Sequence, residues 1–401
     1  MFKKSRLISW LVLLLSLIAL FLSAWILIPA PTMPLLVLSV GAREICPWLL
    51  VANTILLVTA WLLLRDSGRR LALTASLIGL LICGWELASI APAQAQMENA
   101  MRQELGQDYL NKIPAEALSQ MRSTPFAFID SFRGISQGKT RHLEGVSFNT
   151  PAGVDLSMEI YQPPEKGIYP ALVVIYGGAW RSGSPKTYLE FNRYMAARGY
   201  TVFAIDYRHA PRYRYPAQLE DVLASLNFIR ENAAKYEADA ERVVLFGRSS
   251  GAHLAMLAAY NSNVLPVRGV INYYGPVNLT EGYNNPPRPD PLNIRAVLDD
   301  FLGGSPQQLP KQYEVASPIS YVNNKVAPTL LIYGSQDHIV EAKYGRQIYQ
   351  GLQKEGNTAV LLEIPWAEHA FDAVFNGVSN QLALYYTERF LAWVVNTGNG
   401  L

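Results

Sequence analysis

Thiols are almost missing from this chain. Its only two cysteines, Cys46 and Cys83, lie in or beside long apolar runs, and none follows them. A disulfide framework, a cysteine nucleophile and a thiolate metal site are therefore excluded from the C-terminal region. Net charge is nearly absent as well: 34 basic and 32 acidic residues leave +2. This balance gives no electrostatic case for nucleic acid or for an acidic partner. Repeats and low-complexity tracts are missing too, so the order of the chain has to be read from single segments.

What is present is unevenly spread. Leu7–Ile28, Pro47–Leu64 and Leu71–Ile90 are almost free of charge, and each approaches the ~20 residues needed to cross a bilayer as a helix. Lys3, Lys4 and Arg6 precede the first run, while Arg65, Arg69 and Arg70 separate the second from the third. The first connecting loop has only Arg43, with Glu44 beside it. The positive-inside rule then puts the N-terminus and the Arg65–Arg70 loop in the cytoplasm. A third crossing delivers the remainder to the extracytoplasmic side, as a domain anchored in the cell membrane.

Other readings of these runs stay open. The first could be a cleaved signal peptide, although it is long for one and no small-residue cleavage site follows Ile28. Ala93-Gln94-Ala95 resembles such a site and cutting there would release the domain. Pro34–Val40 is also apolar; paired with Pro47–Leu64 as a re-entrant hairpin, it would invert the orientation.

From Gln96 to about Arg141 the chain is polar and helix-prone, with amphipathic spacing in Met97–Leu110 and Ala115–Met121. This reads as a helical connector or cap, packing over the C-terminal domain. From residue 142 to 401, β-rich runs alternate with helical stretches. The runs are Val146–Asn149, Val154–Tyr161, Ala171–Tyr176, Thr201–Tyr207, Arg242–Gly247, Gly269–Tyr274, Thr329–Tyr333 and Ala359–Ile364. Helices are expected over Leu189–Ala197, Gln218–Asn232, Ala252–Tyr260 and Lys343–Glu355. The alternation predicts an α/β domain, a mostly parallel sheet covered on both faces, with an antiparallel edge from the first two runs. Pro276 to about Val326, rich in Pro, Asn and Gly, interrupts the rhythm between two strands. Such an insertion reads as a lid or pocket wall, with Tyr283, Phe301, Leu302 and Tyr313 as its apolar underside.

The chemistry centres on Gly247-Arg248-Ser249-Ser250-Gly251, a G-x-S-x-G sequence between Val243–Phe246 and the Ala-rich stretch AHLAMLAAY. A strand turning sharply into a helix at such a sequence exposes the serine as a nucleophile. A serine hydroxyl is weak at neutral pH and needs a base and an orienting acid. On this architecture the expected chain order is serine, then acid, then histidine. Asp337 follows the strand Thr329–Tyr333, and His369 follows Ala359–Ile364. Glu368 is a rival acid, but a residue adjacent to the base rarely reaches Nδ1 with good geometry. His253 reads as a packing or capping residue behind Ser249, and His338 as a residue at the rim of the site. His142 and His209 have no carboxylate that sequence order suggests. Oxyanion donors are expected from the amide of Ser250 and from the turn Tyr176-Gly177-Gly178-Ala179-Trp180.

These segments, with YGGAWRSGS, AIDYRHAP, YPAQLEDVLASLNFIREN, GRSSGAHLA, YGSQDHIV and PWAEHAF in order, resemble α/β-hydrolases of the hormone-sensitive-lipase and feruloyl-esterase-like branch. The resemblance runs from about Val146 to the C-terminus and leaves out the apolar runs and the connector. It implies an α/β-hydrolase fold with Ser249 as nucleophile, His369 as base and Asp337 as its orienter. Gly178, Ala179 and Ser250 would supply the oxyanion amides, with Tyr176, Gly177, Trp180 and His338 near the substrate pocket. Tyr176 stands where the family usually has His, and Ala179 where it often has a third Gly. Arg248 and Ser250 replace the family's acidic and alanine residues, which is read as a cation near the site mouth.

The expected activity is hydrolysis of a small-molecule carboxylic ester through an acyl-enzyme, with no metal or organic cofactor. Amides or aryl formamides are an alternative for the same triad. A non-catalytic, membrane-anchored interaction protein is a second one, though such proteins typically lose a triad member. A reporter fused after Leu401 is expected to be active only outside the cytoplasm; activity confined to the cytoplasm would refute this orientation.

Overall fold

The computed structural model describes residues 2–397, apart from Asp66, 262–266 and Asn324. The side chains of Lys3, Lys4 and Arg6, whose charges orient the chain, lie outside the described residues, as does Leu401. Five helices come first: α1 (Phe2–Ala24), α2 (Met33–Glu44), α3 (Cys46–Leu63), α4 (Gly68–Ala88) and α5 (Ile90–Leu105). Among the described residues, three stretches are long and apolar enough to cross a membrane: Leu7–Ala24, Cys46–Leu63 and Gly68–Leu105.

Helices α1, α3 and α4 pack on one another with large apolar side chains turned outward. Leu7, Trp10, Phe21, Trp61, Leu81 and Trp85 face outward. Inside, small and polar residues join the helices: Ser76 Oγ bonds Ser16 Oγ at 3.0 Å, and Asn53 Nδ2 donates to Ser23 Oγ at 3.0 Å. Close approach through small residues, with hydroxyl and amide bonds across the seam, is how helices associate without a hydrophobic driving force.

Pro34–Val40, left open as part of a hairpin, lies in its own short helix α2, with Pro34 in the first two positions. One expected boundary needs correction. The third apolar run does not end at Ile90, because only Ser89 interrupts the passage from α4 into α5. The boundary drawn at residue 95 therefore falls inside a helix. Gly68–Leu105 is 38 residues, about 57 Å of helix at 1.5 Å per residue, against a hydrocarbon core of ~30 Å.

α5 ends on the sheet. Its Met97, Met101 and Leu105 are buried in the same core as the strands, against the last one. The connector then continues through a 3₁₀ turn at Tyr109–Lys112, α6 (Ala115–Gln120) and α7 (Asp130–Arg133). Met97–Leu110 is thus a helix only as far as Leu105; Gly106 at φ 105° stops it.

The strands are β1 (Arg141–Asn149), β2 (Asp155–Gln162), β3 (Tyr169–Ile175), β4 (Thr201–Ile205), β5 (Ala238–Arg248), β6 (Val267–Tyr273), β7 (Thr329–Gly334) and β8 (Ala359–Ile364). They form one sheet in the order β1-β2-β4-β3-β5-β6-β7-β8. β1 and β2 are antiparallel, and every pairing from β4 onward is parallel. Each central strand is a near-continuous apolar run because helices cover both faces. Those helices are α8 (Leu189–Ala196), α9 (Ala217–Asn232), α10 (Ser250–Tyr260), α14 (Ala342–Lys354) and α15 (Val378–Asn396). The insertion holds α11 (Leu279–Asn284), α12 (Ile294–Leu302), α13 (Pro310–Val315) and a 3₁₀ turn at Pro318–Tyr321. Phe301, Leu302 and Tyr313 are buried beneath it, and Tyr283 packs edge-on against Tyr313.

α15 is buried on nearly every side. Its inner face meets β5, β6 and β7, and the connector lies over the rest. Gln381 Oε1 accepts from Ala127 N at 2.9 Å, Glu388 Oε2 from Arg122 N at 2.9 Å, and Tyr386 donates to the Gln94 carbonyl at 2.9 Å. Met101 is the deepest α5 residue in this seam, so Met101→Ala should destabilise the full chain by about 2–4 kcal/mol. Thermal unfolding of the detergent-solubilised protein measures this; an unchanged midpoint would mean that α5 is not part of the core.

Candidate active site

The elbow follows from a steric demand. β5 ends at Arg248, and α10 begins at Ser250, leaving Ser249 alone to reverse the chain at φ 51°, ψ −122°. A side chain on Gly247 would overlap Ala252 Cα, and one on Gly251 the Ile175 carbonyl oxygen. Only glycine at both positions lets α10 start this close to β5 and β3. The turn is locked by Ser249 N–H donating to the Tyr273 carbonyl at 2.9 Å.

Because β5, β7 and β8 are parallel, their C-terminal ends share one edge, and the loops there converge. His369 Nε2 lies 3.0 Å from Ser249 Oγ, and His369 Nδ1 lies 2.8 Å from Asp337 Oδ2. Asp337 Oδ1 accepts from the N–H groups of Ile339 and Val340, both at 2.8 Å. The carboxylate is thus aimed by its own backbone, fixing the proton on Nδ1 and leaving Nε2 free to accept from the serine hydroxyl. Burial pushes the Asp337 carboxyl up, with His369 and the Val340 N–H acting in the other direction. The Tyr274 ring covers the imidazole at 4.7 Å between centroids.

Glu368 does not compete for the imidazole. Its Oε1 accepts from His369 N–H at 3.0 Å and His338 N–H at 2.7 Å, while Oε2 meets His338 Nδ1 at 2.7 Å. Burial opposes a charge on Glu368, yet the hydrogen bond from the His338 ring holds its carboxyl below the usual range. The same bond raises His338 above the ordinary imidazole range. His338 therefore serves Glu368 and does not line the pocket.

The turn after β3 carries Gly178 at φ 150°, Ala179 at φ 54° and Trp180 at φ 57°. Arg181 and Ser182 N–H close it on the Gly178 carbonyl at 3.0 and 3.1 Å. Ser250 heads α10, where first-turn N–H groups have no partner within the helix. An apolar pocket opens beside Ser249 and Ser250, lined by Ala179, Trp180, Leu279, Leu292, Val297, Leu298, Ile339 and Val340 among others. Leu279, Leu292, Val297 and Leu298 come from the insertion, which acts as one wall.

Of the residues expected near the substrate, Trp180 lines the pocket, and Tyr176, Gly177 and His338 do not. Tyr176 points away into the fold: its hydroxyl donates to Asp206, and its oxygen accepts from His209 Nε2 at 2.8 Å. Gly177 lies against the Arg248 carbonyl and Ser249 Cβ, with no room for a ligand. Arg248 is no cation at the mouth. It is buried, paired with Asp372 through Nε, and its guanidinium lies 3.9 Å from the Tyr188 ring centroid and 4.4 Å from those of Phe191 and Phe246.

Several contacts escaped sequence reasoning. His253 Nδ1 accepts from Trp180 Nε1 at 3.3 Å, and its Nε2 donates to the Ala316 carbonyl at 2.7 Å. Burial pushes this imidazole down to about 4, so it stays neutral and its two partners fix the tautomer. Phe301 stacks on Trp180 at 4.1 Å, joining the insertion to the turn after β3. His142 does find a carboxylate, Glu159 at 2.6 Å, far from the serine. Arg208 grips buried Asp221 with Nε 2.9 and 2.8 Å from its two oxygens, which explains AIDYRHAP and YPAQLEDV as structural motifs. Among the described residues, no group of three or more His, Cys, Asp or Glu is placed to hold a metal.

Comparison with known proteins fits this geometry. The family model BD-FAE matches residues 158–352. Esterase LipQ of Mycobacterium tuberculosis is 31% identical over 264 residues, 60% of this chain and 62% of LipQ. Esterase LipC of the same organism is 32% identical over 217 residues, 51% of this chain and 53% of LipC. The chain thus spans little more than half the length of these curated relatives. A Pyrobaculum calidifontis esterase structure superposes with a TM-score of 0.55 at 23% identity, covering 63% of this chain and 85% of that one. The sheet, its covering helices and this superposition give the C-terminal region the α/β-hydrolase fold.

Removing the carboxylate under Arg248 tests the buried pair. Asp372→Ala should cost about 3–5 kcal/mol, since it strands an uncompensated guanidinium. A thermal midpoint within a degree or so of wild type would contradict that assignment.

Proposed function

We propose that this chain is a membrane-anchored serine hydrolase that cleaves carboxylic esters through an acyl-enzyme. The observation that carries the reading is the hydrogen-bonded series Ser249–His369–Asp337 at the mouth of an apolar pocket. Ser249 Oγ attacks the ester carbonyl while His369 Nε2 takes its proton, and Asp337 stabilises the imidazolium. The oxyanion is received by N–H groups of Gly178, Ala179 and Ser250. His369 returns the proton to the leaving alcohol, and water then repeats the sequence to release the acid. The names of LipQ and LipC support ester over amide bonds.

The anchor is α1, α3 and α4, with the hydrolase domain on the extracytoplasmic side. Trp48 at the start of α3 donates to the Ser131 carbonyl at 2.8 Å. The start of α3 therefore lies at the domain's end of the bundle, and the Arg65–Arg70 turn lies at the opposite end. That separation agrees with basic residues remaining in the cytoplasm.

The full chain in detergent should hydrolyse short p-nitrophenyl esters and react with a fluorophosphonate probe at Ser249. Ser249→Ala should abolish labelling and lower kcat by roughly three orders of magnitude or more. Labelling that survives Ser249→Ala would sink the assignment.

A further inference from the structure

Two consecutive residues at the end of α2, Arg43 and Glu44, are charged, buried and far in sequence from the domain residues they touch. Arg43 Nη1 lies 3.9 Å from Glu368 Oε2. Glu368 is the residue whose Oε1 accepts the N–H of His369 at 3.0 Å. Arg43 Nη1 also donates to the Ser39 carbonyl at 3.1 Å, which ties the guanidinium back to its own helix. Glu44 reaches the other end of the same loop. Its Oε2 accepts the N–H of Ser379 at 2.9 Å in the first turn of α15, an acid placed where a helix N-terminus favours one. The Ser379 hydroxyl in turn accepts from Trp366 Nε1 at 3.0 Å, three residues before His369. Gly377 is pressed against Glu44, since a side chain there would overlap Glu44 Oε2.

α2 therefore meets the loop from Pro365 to Gly377, which carries His369 and Asp372, at Glu368 near its start, and at Gly377 and the first turn of α15 where it ends. We propose that Arg43 and Glu44 are positioning residues, through which the N-terminal anchor sets the placement of His369 against Ser249. This rests on the serine-hydrolase reading and adds to it that the hydrolase domain alone is an incomplete enzyme. Geometry argues for it twice, because the two contacts come from adjacent side chains and land on different parts of one loop. A hydrophobic docking of α2 would need neither polar side chain. Burial pushes the Glu44 carboxyl up to about 8, so Glu44 acts here as the acceptor of the Ser379 N–H and Arg43 as the cation beside Glu368.

His369 is held from several elements at once. Asp337 and Ser249 meet its nitrogens, the Tyr274 ring covers it, and Glu368 on the same loop accepts its N–H while also binding His338 of the β7 loop. Arg43 of α2 stands behind Glu368, so its loss acts on His369 through the placement of that carboxylate.

The test uses the full chain in detergent, with a short p-nitrophenyl ester as substrate and the fluorophosphonate as probe. Arg43→Met should lower kcat by about tenfold to a hundredfold, the scale of a small misplacement of a catalytic group. KM should change little. Arg43→Lys should restore most of kcat. Arg43→Met and Glu368→Gln should be non-additive, because they break one contact. Wild-type kcat in Arg43→Met would overturn the proposal, as would additive effects of the pair. If Arg43→Met fails to fold, Glu44→Leu, which removes the acceptor of the Ser379 N–H, tests the second contact: lowered kcat at constant KM supports the proposal, and wild-type kcat overturns it. Failure of the wild-type chain to label at Ser249 would instead refute the serine-hydrolase reading.

Discussion

The active-site region depends on one close approach, the start of α10 against the end of β3. Gly251 lies under the carbonyl oxygens of Ile175 and Tyr176, and nothing larger fits there. That contact fixes where α10 begins, and so forces Ser249 to make the whole reversal alone, at a φ that side chains rarely adopt. The same contact sets β3's exit beside the serine, which is why the turn Gly178–Trp180 lies within reach of any carbonyl that Ser249 meets. Parallel pairing does the rest. With β3, β5, β7 and β8 all pointing one way, the residues that follow them meet at one edge without any long excursion of the chain.

Around this edge, charge is used mostly for construction. Arg248, Asp372, Arg208, Asp221 and Glu368 are all buried and all paired, and none of them lines the pocket. Arg248 and Asp372 join the elbow to the loop carrying His369, with the Tyr274 hydroxyl also donating to Asp372. Tyr274 in turn covers the imidazole. The pocket itself is left to apolar side chains, and its wall is coupled to the turn after β3 by the Trp180–Phe301 stack and neutral His253.

Much of this was legible in the sequence. Seven of the eight apolar runs coincide with strands to within a few residues, because strands buried on both faces have few ways to be polar. β1 starts earlier than its apolar core, since Arg141–Leu143 pairs with β2 ahead of an irregularity in the register, and Arg141, His142 and Glu144 there are polar. The order Ser249, Asp337, His369 was readable because chain order and strand ends are sequence properties. Arg248 was misread because its neighbours in space, Tyr188 and Asp372, are remote in sequence. Burial of a cation cannot be seen from the elbow alone. α15 carried no clear stripe for the same reason: the connector covers the face that would otherwise be polar, so its exposed pattern never forms. Arg43 and Glu44 read as a short charged loop, and only the fold shows that both point into the domain.

The joint between the N-terminal bundle and the hydrolase domain is the last consequence of these contacts. A flexible tether would let a hydrolase domain sample many heights above a membrane. Here α4 runs into α5 with one intervening residue, α5 is built into the core beneath β8, and α2 holds the loop of His369 from a second side. Rotation about any one connection would strain the others, so the domain and the bundle share one frame. On the proposed anchoring, Ser249 then stands at a set distance and orientation relative to the bilayer. Substrate selection would then depend on that geometry as well as on the pocket, because only ester groups presented at that height can reach the serine.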